Sequence, residues 1–128
     1  MIKAGVPGTY IFHTGEECGA NGARTAAASR AFTYQFDMIV AFDRAVHPGA
    51  EPEIIVTQGG QDCASVKCGQ ALADALNAVG GFGYYVSHTG VFTDTKVYRN
   101  VIAECFNLGC FYWDQHTPYE HVNAEKVE

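Results

Sequence analysis

Five short apolar runs divide the chain and predict the strands of a sheet. They are TYIFH at 9–13, DMIVAF at 37–42, EIIVT at 53–57, FGYYVS at 82–87 and LGCFYW at 108–113. Four of them are continuous rather than alternating in apolar character, which is typical of strands covered on both faces. The pattern therefore predicts a sheet buried between two other layers.

Three segments between these runs have the composition and length of helices. They are an Ala-rich stretch at 20–35, a stretch at 63–81 with Asp62 as its N-cap, and a stretch at 95–104 with Asp94 as its N-cap. Alternation of strands and helices predicts a three-layer α/β/α fold with a central, mostly parallel (mixed) sheet. No internal repeat or linker interrupts residues 1–128, so we expect a single domain.

Both ends of the sequence have the features of interrupted helices. Gly5 and Pro7 form a helix stop signal with only about one turn of chain before it. Thr117 to Glu120 match a capping box, which predicts a helix over 118–128. Frayed termini of a small protein and a piece of a larger domain both account for this pattern.

Composition and charge narrow the classes of function. Apolar residues make up 48% of the chain and charged residues only 17%, which indicates elements buried on both faces or against a partner. The net charge of −6, with no cluster of Lys or Arg, argues against nucleic-acid binding. Five cysteines without a C-x-x-C pair favour a reducing, cytoplasmic setting. No apolar run is long enough to cross a membrane.

Side chains that can bind metals follow three of the apolar runs. Glu16 and Glu17 come after the first run, Asp43 after the second and His116 after the last. Because ligands bind at the carboxyl ends of parallel strands, we expect these residues to meet in one crevice. Glu, Asp and His together suit Zn²⁺, and a carboxylate left free beside it can accept a proton from water. A solvated acidic loop is the alternative for the Glu pair.

Four motifs, in order, resemble the co-catalytic di-zinc exopeptidases, the aminopeptidase-like metallohydrolases. YIFHTGEECGANGA resembles their Glu-Glu loop, IVAFDR the strand before the next ligand Asp, GVFTDTKVY a substrate-side loop, and FYWDQHTPYE the segment with the last ligand His. The resemblance implies a zinc exopeptidase-like fold and two zinc ions. It also implies hydrolysis of a terminal peptide bond, in a peptide or small amide, by a metal-bound water.

The resemblance also assigns a role to each matched residue. It implies Glu16 as the general base, Glu17 and His116 as ligands of one zinc, and Asp43 as a ligand of the other. Asp94 is a candidate for orienting the substrate, with a helix N-cap as the alternative.

His88 is a further candidate for substrate binding because it follows a predicted strand. A hydrogen-bonded structural histidine is the alternative for this residue. The sequence alone leaves both open.

The chain departs from the family at one motif. Family members also use an upstream His-x-Asp whose Asp bridges the two metals, and no His-x-Asp precedes the Glu-Glu loop here. The resemblance therefore covers only the C-terminal portion of the fold, and we expect an N-terminally truncated domain. Such a chain is expected to bind zinc weakly and to hydrolyse little. The apolar surface left uncovered predicts a homo-oligomer.

Other functions are also considered from the sequence. A non-catalytic or decayed metallohydrolase domain, or a module completed by another chain, has the same features. A thiol enzyme would pair Cys18, Cys63 or Cys105 with a histidine, either His13 or His88. A phosphate-binding loop at 15–22 is rejected because neither glycine-rich phosphate motif is present and two carboxylates would repel phosphate.

Overall fold

A computed structural model describes residues 7–124 of the chain. The helices are α1 (Asn21–Ala27), α2 (Arg30–Thr33), α3 (Val66–Gly80) and α4 (Asp94–Tyr98). The strands are β1 (Met38–Arg44), β2 (Glu53–Ile55), β3 (Thr57–Gln58), β4 (Gln61–Asp62), β5 (Tyr85–Ser87), β6 (Glu104–Gly109), β7 (Tyr112–Trp113) and β8 (His121–Val122).

The central sheet has the strand order β1-β6-β2-β5. β1 is parallel to β6 and β2 is parallel to β5, whereas β2 and β6 are antiparallel. Two of the three junctions are therefore parallel, and the sheet is mixed and mostly parallel, as predicted. The pairs β3–β4 and β7–β8 form two separate antiparallel ribbons.

Helices cover both faces of the central sheet. In β6, the buried Cys105 packs with Tyr98 of α4 and Ala23 of α1. The next residue, Phe106, points to the opposite face and packs with Ala73 of α3. The two apolar clusters on either side of the sheet confirm the predicted α/β/α fold class.

The first predicted strand and the first predicted helix are wrong in detail. Residues 9–13 form no strand, although their apolar character suits one. The helix predicted over 20–35 is divided into α1 and α2. Ser29 lies at the division and takes the N-cap position of α2, where its backbone is extended.

The later strands also differ from their predicted bounds. The run 108–113 is not one strand, because β6 starts earlier and ends at Gly109. The polar residues Glu104 and Asn107 interrupt the apolar pattern before position 108, so the pattern did not indicate a strand there, although β6 is paired on both sides. The run 82–87 is a strand only from Tyr85 onward, since the Asn77 side chain binds both the backbone N–H and C=O of Tyr84.

The predicted helix caps are replaced by neighbouring residues. Ser65 caps α3 by accepting a hydrogen bond from the Cys68 backbone N–H at 3.2 Å, whereas Asp62 lies in β4. Helix α4 begins at Asp94 and ends at Tyr98, so the predicted stretch 95–104 is too long. The helix predicted over 118–128 is wrong at 121–122, which form β8, and its last four residues lie outside the described chain. Position 5 of the predicted helix stop also lies outside it.

Candidate functional site

A tight turn before α1 presents Glu16 and Glu17. The Ala20 backbone N–H donates to the Glu16 carbonyl oxygen at 2.9 Å, and the Gly22 N–H donates to the Thr14 carbonyl oxygen at 2.9 Å. A Cβ atom at position 22 would lie 2.7 Å from the Thr14 backbone nitrogen, so only glycine fits there without a shift. The start of α1 is therefore packed closely against the backbone segment that leads into the turn.

Glu17 and His116, which are far apart in sequence, lie side by side. The Glu17 Oε1 atom is 3.4 Å from His116 Nδ1, and both side chains are about 70% exposed. His116 lies in the turn between β7 and β8 with a φ of +63°, a conformation that few non-glycine residues adopt. The Glu120 carboxylate accepts a hydrogen bond from the His116 backbone N–H at 3.0 Å. The convergence that the sequence predicted for these two side chains is present.

Asp43, near the end of β1, is held by side chains that no sequence pattern singled out. Thr93 donates to Asp43 Oδ2 at 2.6 Å, and the Tyr112 hydroxyl donates to Oδ1 at 3.5 Å. The Asn107 side-chain amide binds the Asp43 backbone N–H and C=O. Burial, with the nearby charge of Asp43, raises the pKa of Tyr112 to about 12, so its hydroxyl stays protonated and donates.

A signal for Thr93 was present, since it directly precedes the candidate Asp94 in the segment GVFTDTKVY. Nothing in the local sequence marks Asn107 or Tyr112, because their roles depend on how β6 and β7 lie beside β1.

The four residues implied in catalysis and metal binding line one cavity. It measures about 1120 Å³, and its walls include Glu16, Glu17, Asp43 and His116. Burial raises the pKa of Glu16, the charges of Glu17, Asp43 and Asp94 raise it further, and His116 opposes them. A carboxylate with a raised pKa among other carboxylates has the property expected of a general base.

Asp94 forms a network with His13 instead of capping α4. The His13 ring binds Asp94 Oδ2 through Nδ1 at 2.9 Å and the Tyr98 hydroxyl through Nε2 at 2.7 Å. Burial, with the charge of Asp94, raises the pKa of Tyr98 to about 12, so its hydroxyl remains a donor to Nε2. Asp94 Oδ1 is buried and has no partner among residues 7–124. The N-cap of α4 is Thr93.

His88 lies apart from the other candidates. It binds the Thr57 hydroxyl through Nδ1 at 2.7 Å. It lines neither the cavity beside Glu16 nor a second cavity next to it. Its predicted contact with substrate stays a prediction.

The buried thiols do not support the thiol-enzyme alternative. Burial raises the pKa of Cys63, and burial raises that of Cys105 to about 12, with neighbouring groups adding to it. Both ring nitrogens of His13 are engaged by other groups. A protonated, buried thiol is a poor nucleophile.

Within residues 7–124, no group of three or more His, Cys, Asp or Glu side chains has the arrangement of a complete metal site. Glu17 and His116 thus form a pair of potential metal ligands, and Asp43 is a separate potential ligand in the same cavity. The helices in this part of the chain include none that is long and apolar enough to cross a membrane.

The fold is similar to that of a solved structure, PhTET1-12s, described as a dodecamer in the asymmetric unit. The TM-score is 0.65 at 18% sequence identity, and the match covers 91% of this chain but only 36% of the PhTET1-12s chain. The likeness establishes the fold alone, which is consistent with the zinc exopeptidase-like fold expected from the sequence. No protein-family model and no curated protein matches the sequence.

Proposed function

We propose that this chain carries part of a zinc-dependent hydrolase site of the exopeptidase type. Its reaction is the hydrolysis of a terminal peptide bond in a peptide or small amide. The observation that best supports this proposal is the distance of 3.4 Å between the Glu17 carboxylate and the His116 imidazole.

The distance fits two ligands of a single zinc ion. Zinc binds imidazole nitrogen and carboxylate oxygen at about 2.0–2.2 Å in tetrahedral geometry, so two ligand atoms of one ion lie roughly 3.3–3.5 Å apart. A direct N–H···O hydrogen bond is shorter, at about 2.7–3.2 Å. Glu17 and His116 are therefore spaced like zinc ligands, and their exposure leaves a path for the ion.

Glu16 has the properties of the general base. Its raised pKa brings the carboxylate closer to neutral pH, where a general base is most effective. Zinc, when bound, supplies a water that is nucleophilic at neutral pH. Glu16 accepts the proton of the attacking water and then holds it for the leaving amine.

Asp43 is the proposed ligand of the second zinc. The short hydrogen bond from Thr93, at 2.6 Å, fixes the direction of its carboxylate, as the hydrogen-bond partners of metal ligands do, and the Tyr112 hydroxyl lies 3.5 Å from the other oxygen. Each carboxylate oxygen of Asp43 has one hydroxyl partner and therefore keeps a lone pair that can bind a cation.

The ligand set within residues 7–124 is incomplete. A catalytic zinc usually has three protein ligands, whereas Glu17 and His116 give one ion two and Asp43 gives the other ion one. We therefore propose that these residues alone bind zinc weakly and hydrolyse little, and that further ligands come from outside them. A non-catalytic domain completed by another chain is the alternative that the same ligand count favours.

The partners of the chain remain proposals. PhTET1-12s is a dodecamer in the asymmetric unit, and the match spans about a third of its chain. A homo-oligomer agrees with that neighbour and with the low share of charged residues in the sequence, which is 17%. We propose that this chain forms a homo-oligomer.

A zinc titration by calorimetry on matched variants tests the proposal. Glu17→Gln and His116→Ala each remove one donor, whereas His47→Ala removes an exposed imidazole outside both cavities. We expect weak binding that falls at least about tenfold in the first two variants, a loss of about 1.4 kcal/mol, and no change in the third. Two tight zinc sites, or equal binding by all four proteins, would contradict the proposal.

Hydrolysis of a leucine anilide with zinc present separates the base from the ligands. Glu16→Gln should abolish any residual hydrolysis while it leaves zinc affinity within about twofold, because Glu16 is assigned to proton transfer. Loss of zinc affinity in this variant would contradict its assignment as the base.

A further inference from the structure

Arg44 lines the cavity of the candidate site and has no part in the proposed reaction so far. It is the last residue of β1 and directly follows Asp43. Its side chain crosses the end of β6, where the residue paired with it is Gly109, and its Nε atom donates to Glu53 Oε2 of β2 at 2.6 Å. Because Gly109 has no side chain, the guanidinium can pass over that position. Arg44 is thus held at one wall of the cavity.

Neighbouring side chains fix the guanidinium in place. The Glu53 side chain is only 13% exposed, and it also accepts hydrogen bonds from the hydroxyls of Ser87 at 2.6 Å and Thr89 at 2.8 Å. The Thr89 hydroxyl oxygen in turn accepts a hydrogen bond from Arg44 Nη2 at 3.2 Å. Two of the guanidinium nitrogens are therefore tied to neighbours, and the plane of the group is set before a ligand arrives.

The third nitrogen of the guanidinium has no partner within the chain as described, residues 7–124. The two hydrogen bonds of the Arg44 side chain come from Nε and Nη2, and the side chain is 34% exposed. A guanidinium has five N–H groups, and two are used here, so three remain. Two parallel N–H groups on one fixed plane match the two oxygens of a carboxylate.

The other charged side chains of the cavity already have partners or roles. Three of its carboxylates are assigned above to zinc and to proton transfer, and Glu120 accepts a hydrogen bond from the His116 backbone N–H. Arg24 also lines the cavity, but it is exposed and only its Nε atom is held, by the Gly19 carbonyl oxygen at 2.8 Å. Arg44 is therefore the arginine of the cavity that is fixed at two nitrogens and still has N–H groups to offer.

We propose that Arg44 binds a carboxylate of the substrate and so selects peptides that carry one near the bond to be cleaved. This inference rests on the proposed function, because the carboxylate would be held in the same cavity as Glu16 and the zinc ligands. The carboxylate comes either from the C-terminus of a short peptide or from an acidic side chain. Both sources offer the same two oxygens to the guanidinium.

An NMR titration of the full chain in metal-free buffer near neutral pH measures the selectivity for a carboxylate. Two pairs of ligands are compared, and the members of each pair differ only in one carboxylate and its amide. Leucylglycine and leucylglycinamide test the terminal group, and isoglutamine and glutaminamide test the side chain. The quantity compared is the ratio of the two dissociation constants in a pair. Repulsion from the acidic residues of the cavity acts in every variant and so cancels between them.

Matched variants separate the guanidinium from charge alone. Arg44→Gln should shift the ratio at least about tenfold towards the amide in one pair or both, and the pair that responds identifies the source of the carboxylate. Arg44→Lys keeps a cation beside Glu53 but not the planar set of N–H groups, so we expect a shift of at least about threefold. Arg24→Gln alters the other arginine of the cavity and should leave the ratio within about twofold.

Several results would overturn the proposal. They are no binding of any of the four ligands, a shift below about tenfold in both pairs for Arg44→Gln, and an equal shift for Arg24→Gln. Should Arg44→Gln fail to fold, Arg44→Lys decides, and a shift below about threefold in that variant overturns the proposal. Because zinc is absent, a failed zinc titration leaves these results in place. Lost selectivity for the carboxylate, in turn, leaves the zinc ligands as assigned.

Discussion

Replacement of His13 by Ala tests whether its network holds the turn that carries Glu16 and Glu17. The ring joins the Asp94 carboxylate at 2.9 Å and the Tyr98 hydroxyl at 2.7 Å. A hydrogen bond to a charged group contributes about 1.5–3 kcal/mol, and a neutral one about 0.5–1.5 kcal/mol. Tyr98 is fully buried, so its hydroxyl loses its partner with little access to water. We expect the free energy of unfolding to fall by about 2–4 kcal/mol.

Urea denaturation followed by circular dichroism measures this loss. Tyr98→Phe removes only the neutral hydrogen bond and should cost about 1 kcal/mol. His47→Ala removes an exposed imidazole and should change the free energy of unfolding by less than about 0.5 kcal/mol. A His13→Ala variant as stable as His47→Ala would refute the view that the network holds this part of the fold.

Three further predictions concern substitutions at single positions. The pKa of Glu53 is lowered overall. Burial acts to raise it, but hydrogen bonds from nearby hydroxyl and guanidinium groups outweigh that effect. The stability that Glu53 provides is thus present above its unfolded pKa and lost as pH falls through its folded pKa, and urea denaturation should show a weaker acid dependence in Glu53→Gln. The pKa of Glu16 is raised instead, so its ionised form destabilises the fold. Glu16→Gln should therefore be as stable as the original chain in acid and more stable near neutral pH. Equal stability of the two proteins at both pH values would count against this prediction. Gly22→Ala should cost about 1–3 kcal/mol in thermal or urea unfolding because its Cβ meets the Thr14 backbone, whereas Gly8→Ala, with open space around it, should be nearly neutral.

The fold class was predictable because it depends on local patterns. Continuous apolar runs separated by helical segments indicate a covered sheet, and the two clusters on either side of β6 confirm it. The bounds of the elements were less predictable. Glu104 and Asn107 fall inside β6, and a polar residue in a buried strand is explained only by partners that lie elsewhere in the chain.

The meeting of Glu17 and His116 was predictable from where they fall along the chain. Each follows an apolar run, which indicated one shared crevice. The parallel pair β1 and β6 brings Asp43 and the segment after Gly109 to one edge of the sheet, whereas Glu17 follows residues 9–13, which form no strand. The network of His13 with Asp94 and Tyr98 was not predictable, because it joins residues more than eighty positions apart through side chains. No local pattern encodes such a contact.

The absence of a strand at 9–13 was not predictable, for a similar reason. The run at 9–13 has the composition of a strand, but a strand forms only with a partner beside it. Composition reports how well a segment suits a sheet and not whether a neighbour is present.

Anomalous scattering at the zinc edge, from crystals soaked at a zinc concentration that saturates the titration, tests the shared metal most directly. We predict a peak about 2.0–2.2 Å from both the Glu17 carboxylate and the His116 imidazole. The same soak of His116→Ala crystals should lose that peak. A peak remote from both side chains, or none at all, would contradict the assignment of Glu17 and His116 as ligands of one ion.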